Sequence, residues 1–145
     1  MSARKGLFTK VIVDNESLVA TDISAQITET EGIPLQFDEI EVGGFNNQVK
    51  SYVSGRADAP VTLKGSWSAT IHNMFKNAVG DDTHVKTVEF QYGNNAAPTT
   101  GDPKISGEYV TTAYKVTAEL DGKQMFEVKL AIAAGQSLPA YGTVA

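Results

Sequence analysis

Short stretches in which apolar and polar residues alternate recur along most of this 145-residue chain. In residues 7–13, Leu7, Val11 and Val13 fall on one side and Ile12 on the other, which is the period-two pattern of a β-strand. Similar patterns, bounded by Gly, Asn and Asp, predict further strands over residues 24–30, 36–42, 61–67, 85–92, 105–113, 114–120 and 124–132. The chain is therefore predicted to be mostly β.

One segment follows a helical period instead. Its apolar residues recur three or four positions apart, as on one face of an α-helix: Trp67, Ile71, Met74, Phe75, Ala78 and Val79. Ser68 is a suitable N-cap, and Gly80 suits the position after the last helical residue. We therefore expect one helix, over residues 69–79. Together with the strands, it predicts a β-sandwich or a rolled antiparallel sheet with one flanking α-helix.

The last two predicted strands define their register through the parity of their apolar residues. One set comprises Tyr114, Val116 and Ala118, and the other comprises Phe126, Val128 and Leu130. A two-residue turn at Asp121 and Gly122 would place the two sets on opposite faces. A three-residue loop over 120–122 instead pairs residue 118 with 124, 116 with 126 and 114 with 128. That loop requires Gly122 in the left-handed conformation.

Composition and charge are those of one globular domain. Hydrophobic residues make up 41% of the chain and charged residues 20%, and residues 1–145 are enough for a single core. The chain has no cysteine, which excludes disulfides and thiolate metal sites. Its 17 acidic and 12 basic residues give a net charge of −5, and the basic residues are scattered, so specific nucleic-acid binding is not expected.

No segment predicts secretion or membrane insertion. The basic residues Arg4 and Lys5 are not followed by an uninterrupted apolar run, and no stretch approaches the ~20 apolar residues of a membrane span. We therefore expect a soluble protein that is made in a cytoplasm.

Candidate sites for chemistry are few. Two clusters could hold a metal ion: Asp81 and Asp82 with His84, and Asp38 and Glu39 with Glu41. The first is also the composition of a solvated turn, and the second fits no EF-hand loop and equally suits an acidic, solvated edge. No nucleophile motif, phosphate-binding glycine loop or metalloprotease helix occurs. The sequence therefore predicts a protein that is not an enzyme, with no catalytic residue, cofactor or metal.

Residues 36–59 combine large apolar side chains with more Gly, Asn and acidic positions than a core strand carries. Their apolar residues are Phe37, Ile40, Val42, Phe45, Val49, Tyr52 and Val53. Two interpretations are open: a surface loop that folds back on its own domain, or an assembly arm covered by another molecule. Residues 131–145 form an extended tail without any charge, unlike a disordered tail. Leu138 and Tyr141 in this tail complete the predicted subunit interface.

The order and spacing of several segments point to a known family. The segments are Asp22-Ile23-Ser24, Glu41-Val42-Gly43-Gly44-Phe45, the run from Tyr52 to Trp67 with the helix after it, the run from Pro103 to Thr111, and the closing hairpin at Gly122. In this order they resemble the tail tube (major tail) proteins of long-tailed bacteriophages, from residue 23 to residue 132. No single motif among them is diagnostic.

The resemblance implies a β-sandwich with a flanking helix, six copies to a ring, and rings stacked into the phage tail tube, a conduit for DNA ejection. It implies a virion protein of the tail, assembled in the host bacterial cytoplasm. Its partners would be further copies of itself and the tape measure, tail terminator and tail tip proteins. The arm at 36–59 and the tail at 131–145 would supply the contacts between subunits and rings.

The charge of the chain agrees with a tube through which DNA passes without binding. Six copies at −5 each give a ring of −30, which offers few cations to phosphates, although screening over ~8 Å limits this effect to groups facing the lumen. Three alternatives remain. They are a monomeric ligand- or carbohydrate-binding β-sandwich, a head-decoration protein of related fold and the inner tube of a contractile tail.

Overall fold

The computed structural model describes residues 6–46, 48–94, 96–120 and 122–145. Its elements are a 3-10 turn at Gly6–Phe8, strands β1 Thr9–Asp14, β2 Ala20–Asp22, β3 Ile27–Thr30, β4 Gln36–Glu41, β5 Tyr52–Asp58 and β6 Val61–Ser66, helix α1 Ala69–Phe75, and strands β7 Lys86–Tyr92, β8 Pro103–Thr117, β9 Met125–Ile132 and β10 Ala140–Thr143. The mostly-β prediction with one α-helix is confirmed. Within these ranges, no helix has the length and hydropathy that crossing a membrane requires.

Eight strands form one antiparallel sheet in the order β2-β1-β7-β8-β9-β6-β3, with β10 also paired to β8. The two strands at its edges, β2 and β3, are consecutive in the chain. From Asp22 to Ile27 the backbone extends ~17 Å at most, so the two edges lie close together and the sheet has to roll. Backbone hydrogen bonds support the connection, from Ile23 N to Val11 O at 3.0 Å and from Ser66 N to Gln26 O at 2.8 Å. Of the two predicted architectures, the structure is the rolled sheet.

The core fills the inside of this rolled sheet. Alternate residues of each long strand point inward, and the largest are completely buried: Leu63, Phe90, Ile105, Tyr109, Phe126 and Leu130. Helix α1 adds Ile71, Met74 and Phe75 to the same core. The helix is therefore a core element, as its apolar face predicts.

Helix α1 is shorter than predicted. Its N-cap is Ser68, as expected, and the Ser68 Oγ accepts a hydrogen bond from Ile71 N at 3.3 Å. The α-helix ends at Phe75 instead of continuing to residue 79, because Ala78 N donates to Phe75 O in a tighter turn. Gly80 then adopts a φ of 75° and its N–H donates to Thr111 O, which ties the end of the segment to β8.

The two predicted strands over 105–113 and 114–120 are one continuous strand, β8. The pairing with β9 shifts by one residue between Thr111 and Ala113, which is a β-bulge. Before the bulge Ile105 and Tyr109 face the core, and after it Tyr114 takes the core-facing parity. One extra residue within the strand therefore changes the parity of its core-facing positions.

The register of the closing hairpin is confirmed, but its loop is wrong. Tyr114 lies opposite Val128 and Val116 opposite Phe126, as parity requires. The strands end at Thr117 and Met125, so the loop covers 118–124 instead of 120–122. The left-handed conformation predicted for Gly122 depends on the backbone of residue 121, which lies outside the described residues. The Gly122 N–H closes a turn by donating to Glu119 O at 3.2 Å, and the last residue of such a turn needs no positive φ.

The remaining differences from the predicted strands concern where two strands begin and two short additional strands. Residues 7 and 8 belong to the 3-10 turn, so β1 begins at Thr9. The predicted strand over 24–30 begins only at Ile27, because 23–26 connects the two edges of the sheet. Strands β2 and β10, of three and four residues, were not predicted, since such short segments carry too few positions to define an alternation.

Candidate assembly surface

Strands β4 and β5 form a separate two-stranded sheet. We call residues 36–59, which contain this hairpin, the arm. The seven apolar residues predicted for an interface are all exposed in the single chain, with Phe45 fully exposed and Tyr52 51% exposed. They do not fold back onto the core of their own chain. A lone two-stranded hairpin is only marginally stable in water, so an arm of this kind gains stability from a surface that covers it.

The two faces of the arm differ in chemistry. Phe37, Glu39 and Glu41 pair with Ala57, Ser54 and Tyr52 and therefore lie on one face, which we call the acidic face. Ile40 pairs with Val53 on the other face. Asp38 and Gly55 belong to the same face as Ile40, because a Cβ built at Gly55 would lie 3.1 Å from both Asp38 Cβ and Ile40 Cδ1. Because the register shifts between Phe37 and Glu39, Ala57 lies on the same face as Ser54 although three positions separate them.

The base of the arm is fixed to the core. The Tyr109 hydroxyl donates to Ala59 O at 2.7 Å, and both residues are completely buried. Burial raises the pKa of Tyr109, so the hydroxyl keeps its proton and remains a donor. Asp58 Oδ1 accepts from Ala59 N at 2.8 Å. The hairpin therefore leaves the body of the protein from a rigid point.

The C-terminal tail lies against its own chain through β10. Tyr141 lies opposite Ile105 of β8, and Pro139 covers Gly107, where a Cβ would come within 2.7 Å of the proline Cγ. Leu138 packs partly against the core, whereas Tyr141 is 67% exposed. In the single chain, β10 of the tail therefore pairs with β8, whereas the two strands of the arm pair with each other. Of the two predicted interface residues in the tail, Tyr141 offers the larger free surface.

The two acidic clusters take part in ordinary surface structure. Asp81 Oδ1 accepts from Thr83 N at 3.0 Å and from Thr83 Oγ1 at 2.6 Å, and these hydrogen bonds lower the pKa of Asp81. The other cluster, Asp38 with Glu39 and Glu41, lies on the exposed arm and is divided between its two faces. Over the described ranges, no three His, Cys, Asp or Glu residues come close enough together to hold a metal ion.

A polar depression on the outer face of the rolled sheet was not predicted. It has a volume of about 230 Å³, and we call it the groove; its lining residues are Glu29, Thr30, Glu31, Thr62, Lys64, Glu127 and Lys129. Pairing across the strands places Glu29, Lys64, Glu127 and Lys115 in one row of alternating charge. Period-two patterns mark these positions as outward-facing. They cannot show that β6 pairs with β9, because the two strands are far apart in the chain.

Comparison with known proteins agrees with this architecture. No protein-family model matches the sequence, and no curated protein matches it. A chain from the tail of an empty GTA particle, computed with helical refinement and C6 symmetry, has a TM-score of 0.68 at 19% identity, covering 95% of this chain and 100% of that chain. A chain from the sheath–tube complex of PVC, an extracellular contractile injection system in its extended state, has a TM-score of 0.70 at 13% identity, covering 98% and 93%.

The SPP1 tail tube has a TM-score of 0.66 at 9% identity, covering 94% of this chain and 78% of that chain. At such identities the likeness establishes the fold. The chain therefore has a tail-tube-like fold, and its resemblance to tail tube proteins is confirmed at that level.

Proposed function

We propose that this protein is a structural subunit of a phage-like tail tube, built from rings of six copies that stack into a conduit for DNA. The observation that carries the proposal is the fold shared over 95% of the chain with a tail component of C6 symmetry. The likeness covers 95% of this chain and 100% of that chain, which is too much to leave out the arm as a whole. The protein acts by assembly and not by catalysis.

The exposed arm supports the same function. A monomer gains nothing from Phe45 and Val49 in water, whereas a ring and a stack offer surfaces that bury them. In a closed ring every contact is repeated at each interface, so a modest gain per subunit is multiplied. A tail location in the virion, assembly in the host cytoplasm, and contacts with tape measure, terminator and tail tip proteins belong to this proposal.

The carbohydrate-binding alternative finds less support. Trp67 is the single tryptophan, and such modules commonly use an open aromatic surface. Its indole N–H donates to the Tyr114 hydroxyl at 2.9 Å, and its ring lies 5.6 Å from that of His72. The Tyr114 hydroxyl also lies 3.0 Å from His72 Nδ1. Trp67 is thus held in a network that joins the helix to β8, and it packs against the core.

Particle mass and shape test the proposal. We expect native mass spectrometry to detect a six-subunit species and negative-stain electron microscopy to show rings or tubes with six-fold symmetry. A chain that stays monomeric at every concentration contradicts the proposal. Closed shells or isolated trimers without tubes would favour the head-decoration alternative.

A further inference from the structure

Three half-buried side chains meet where helix α1 lies against β8. The indole N–H of Trp67, just before the helix, donates to the Tyr114 hydroxyl at 2.9 Å, and this hydroxyl lies 3.0 Å from His72 Nδ1. The ring centroids of Trp67 and His72 are 5.6 Å apart, and those of His72 and Tyr114 are 5.8 Å apart. We call these three side chains the joint, because they connect the helix to the strand.

The hydrogen bonds of the joint define the protonation of His72. An indole N–H can only donate, so the Tyr114 oxygen accepts from Trp67. Burial raises the pKa of Tyr114, so its hydroxyl keeps its own proton and can also donate. Among the described residues, the other hydrogen-bond partner of this hydroxyl is His72 Nδ1, which therefore accepts. The imidazole is then neutral and carries its single proton on Nε2.

A second proton on His72 would reverse one of these hydrogen bonds. It turns Nδ1 from an acceptor into a donor. The Tyr114 oxygen would then face two donors, from Trp67 and from His72, while its own proton would lose its acceptor. Because a partly buried donor without an acceptor destabilises a fold, the joint is complete only while His72 is neutral.

On the helix, the nearest charge in sequence register also disfavours a cation at His72. Lys76 lies four residues further along, a spacing that brings side chains of one helix together, and two like charges at this spacing repel. The carbonyl groups of the last helical turn have the opposite effect, since they favour a cation. One of them, His72 O, already accepts from Lys76 N at 2.9 Å.

The strands and the loop beside the joint supply no carboxylate to His72. Lys115 alternates with Tyr114 along β8 and points to the opposite face, where its Nζ lies 3.6 Å from Glu127 Oε2. The loop before β9 contacts the joint through the Gln124 carbonyl, which accepts from Trp67 N at 2.9 Å. No ion pair of His72 occurs among the described residues.

We propose that the joint is an acid-sensitive switch: neutral His72 fastens helix α1 to β8 through Tyr114, and protonation of His72 releases this attachment. Imidazoles change charge between about pH 8 and about pH 5, so the switch operates in that range. Protonation removes a hydrogen bond that only the folded chain forms. The stability that the joint contributes is therefore present at the upper end of the range and is lost as the pH falls. The switch is a property of the single chain and does not depend on the proposed tube function.

A double-mutant cycle at two pH values tests the switch in the full chain. The variants are His72→Gln, Tyr114→Phe and both together, and urea denaturation gives the unfolding constant of each. Tyr114→Phe keeps the ring, whose centroid lies 6.0 Å from that of Phe75, and removes only the hydroxyl. We expect the two positions to be coupled by about fivefold or more at about pH 8 and by less than about twofold at about pH 5. Equal coupling at the two pH values overturns the proposal.

His84 provides the matched control, since it is the other of the two histidines. Its Nε2 is buried without a hydrogen-bond partner in the described part of the chain, so it can add a pH dependence of its own. The cycle repeated with His84→Gln in all four chains should give the same change in coupling. Trp67 is the single tryptophan, so its fluorescence reports on the joint even if one variant of the cycle fails to fold. Its emission should change over this pH range in the wild type and in His84→Gln. An emission change that persists undiminished in His72→Gln contradicts the switch.

Discussion

At the scale of single residues, Phe75 is one of the helix residues that pack into the core of the rolled sheet. Its side chain is fully buried. The centroid of the Phe75 ring lies 6.0 Å from the centroid of the Tyr114 ring and 5.6 Å from Lys86 Nζ. We expect Phe75→Ala to lower the free energy of unfolding by ~3–5 kcal/mol, the usual cost of removing a core aromatic side chain. Urea denaturation measures the loss. A variant that melts within about a degree of the wild type would show that the helix is peripheral.

A matched control lies four residues further along the same segment. Val79 is 43% exposed, so Val79→Ala should change the stability by about 0.5 kcal/mol or less. A loss comparable to that of Phe75→Ala would mean that any change in this segment disrupts the fold.

Lys86 makes the free energy of unfolding depend on pH. Its side chain is buried, and Nζ donates to Asp14 O at 2.8 Å and to Asn15 O at 3.1 Å. Burial lowers the pKa of Lys86 below its usual 10.5, so the folded chain releases this proton at a lower pH than the unfolded chain. Between the two values the unfolded state binds more protons, and stability from this group therefore rises as the pH rises toward 10.5.

Comparison with Lys86→Met isolates this contribution. We expect the wild type to gain stability relative to the variant as the pH rises toward 10.5, measured by urea denaturation at each pH. Burial also raises the pKa values of Tyr92, Tyr109 and Tyr114, but these tyrosines are present in both chains, so their contributions cancel in the difference. A difference that stays constant over this range would show that Lys86 titrates alike in both states.

At the scale of the elements, local patterns predict strands well and their junctions poorly. The parity of Tyr114 and Val116 against Phe126 and Val128 correctly gives the register of β8 and β9. The bulge between Thr111 and Ala113 appears in the sequence as a break, because a shift of parity looks the same whether a strand ends or gains a residue. The hydrogen bond that ends the helix early and the loop at Gly122 leave no periodic signal.

Gly65 marks the place where the rolled sheet brings its last two strands together. A Cβ at this position would collide with the carbonyl oxygen of Gln26 and lie 2.7 Å from the carbonyl carbon, both in the segment that joins β2 to β3. Backbone cannot move aside as a flexible side chain can. We expect Gly65→Ala to cost about 3 kcal/mol or more, at the upper end of overpacking effects, in a urea melt.

Gly142→Ala is the matched control, since Gly142 also lies in a strand and its nearest atom, Lys104 Cε, would be 3.9 Å from the new Cβ. It should change the stability by only about 0.5 kcal/mol. Equal stabilities for the two variants would contradict the close approach of β3 to β6.

At the scale of the whole molecule, the sequence predicts that the arm carries an unusual apolar surface but not what receives it. Composition alone singles out Phe45 and Tyr52, because their neighbours are too polar for a core strand. The groove depends on strands that are distant in sequence, because β6 pairs with β9. Leu138 illustrates the converse, since much of a residue predicted for an interface packs on its own core.

The central claim is that the arm joins copies of this chain into a tube, and sedimentation velocity of a Phe45→Ala, Tyr52→Ala variant tests it most directly. Both side chains are exposed in the single chain, and burying each contributes roughly 1.5–3 kcal/mol per contact, so the variant should remain a folded monomer while the wild type forms rings and tubes. A control with Leu7→Ala and Leu120→Ala, exposed residues outside the arm, should still assemble. Circular dichroism melting verifies the fold of each chain. A double variant that unfolds, or one that assembles as the wild type does, would contradict the account.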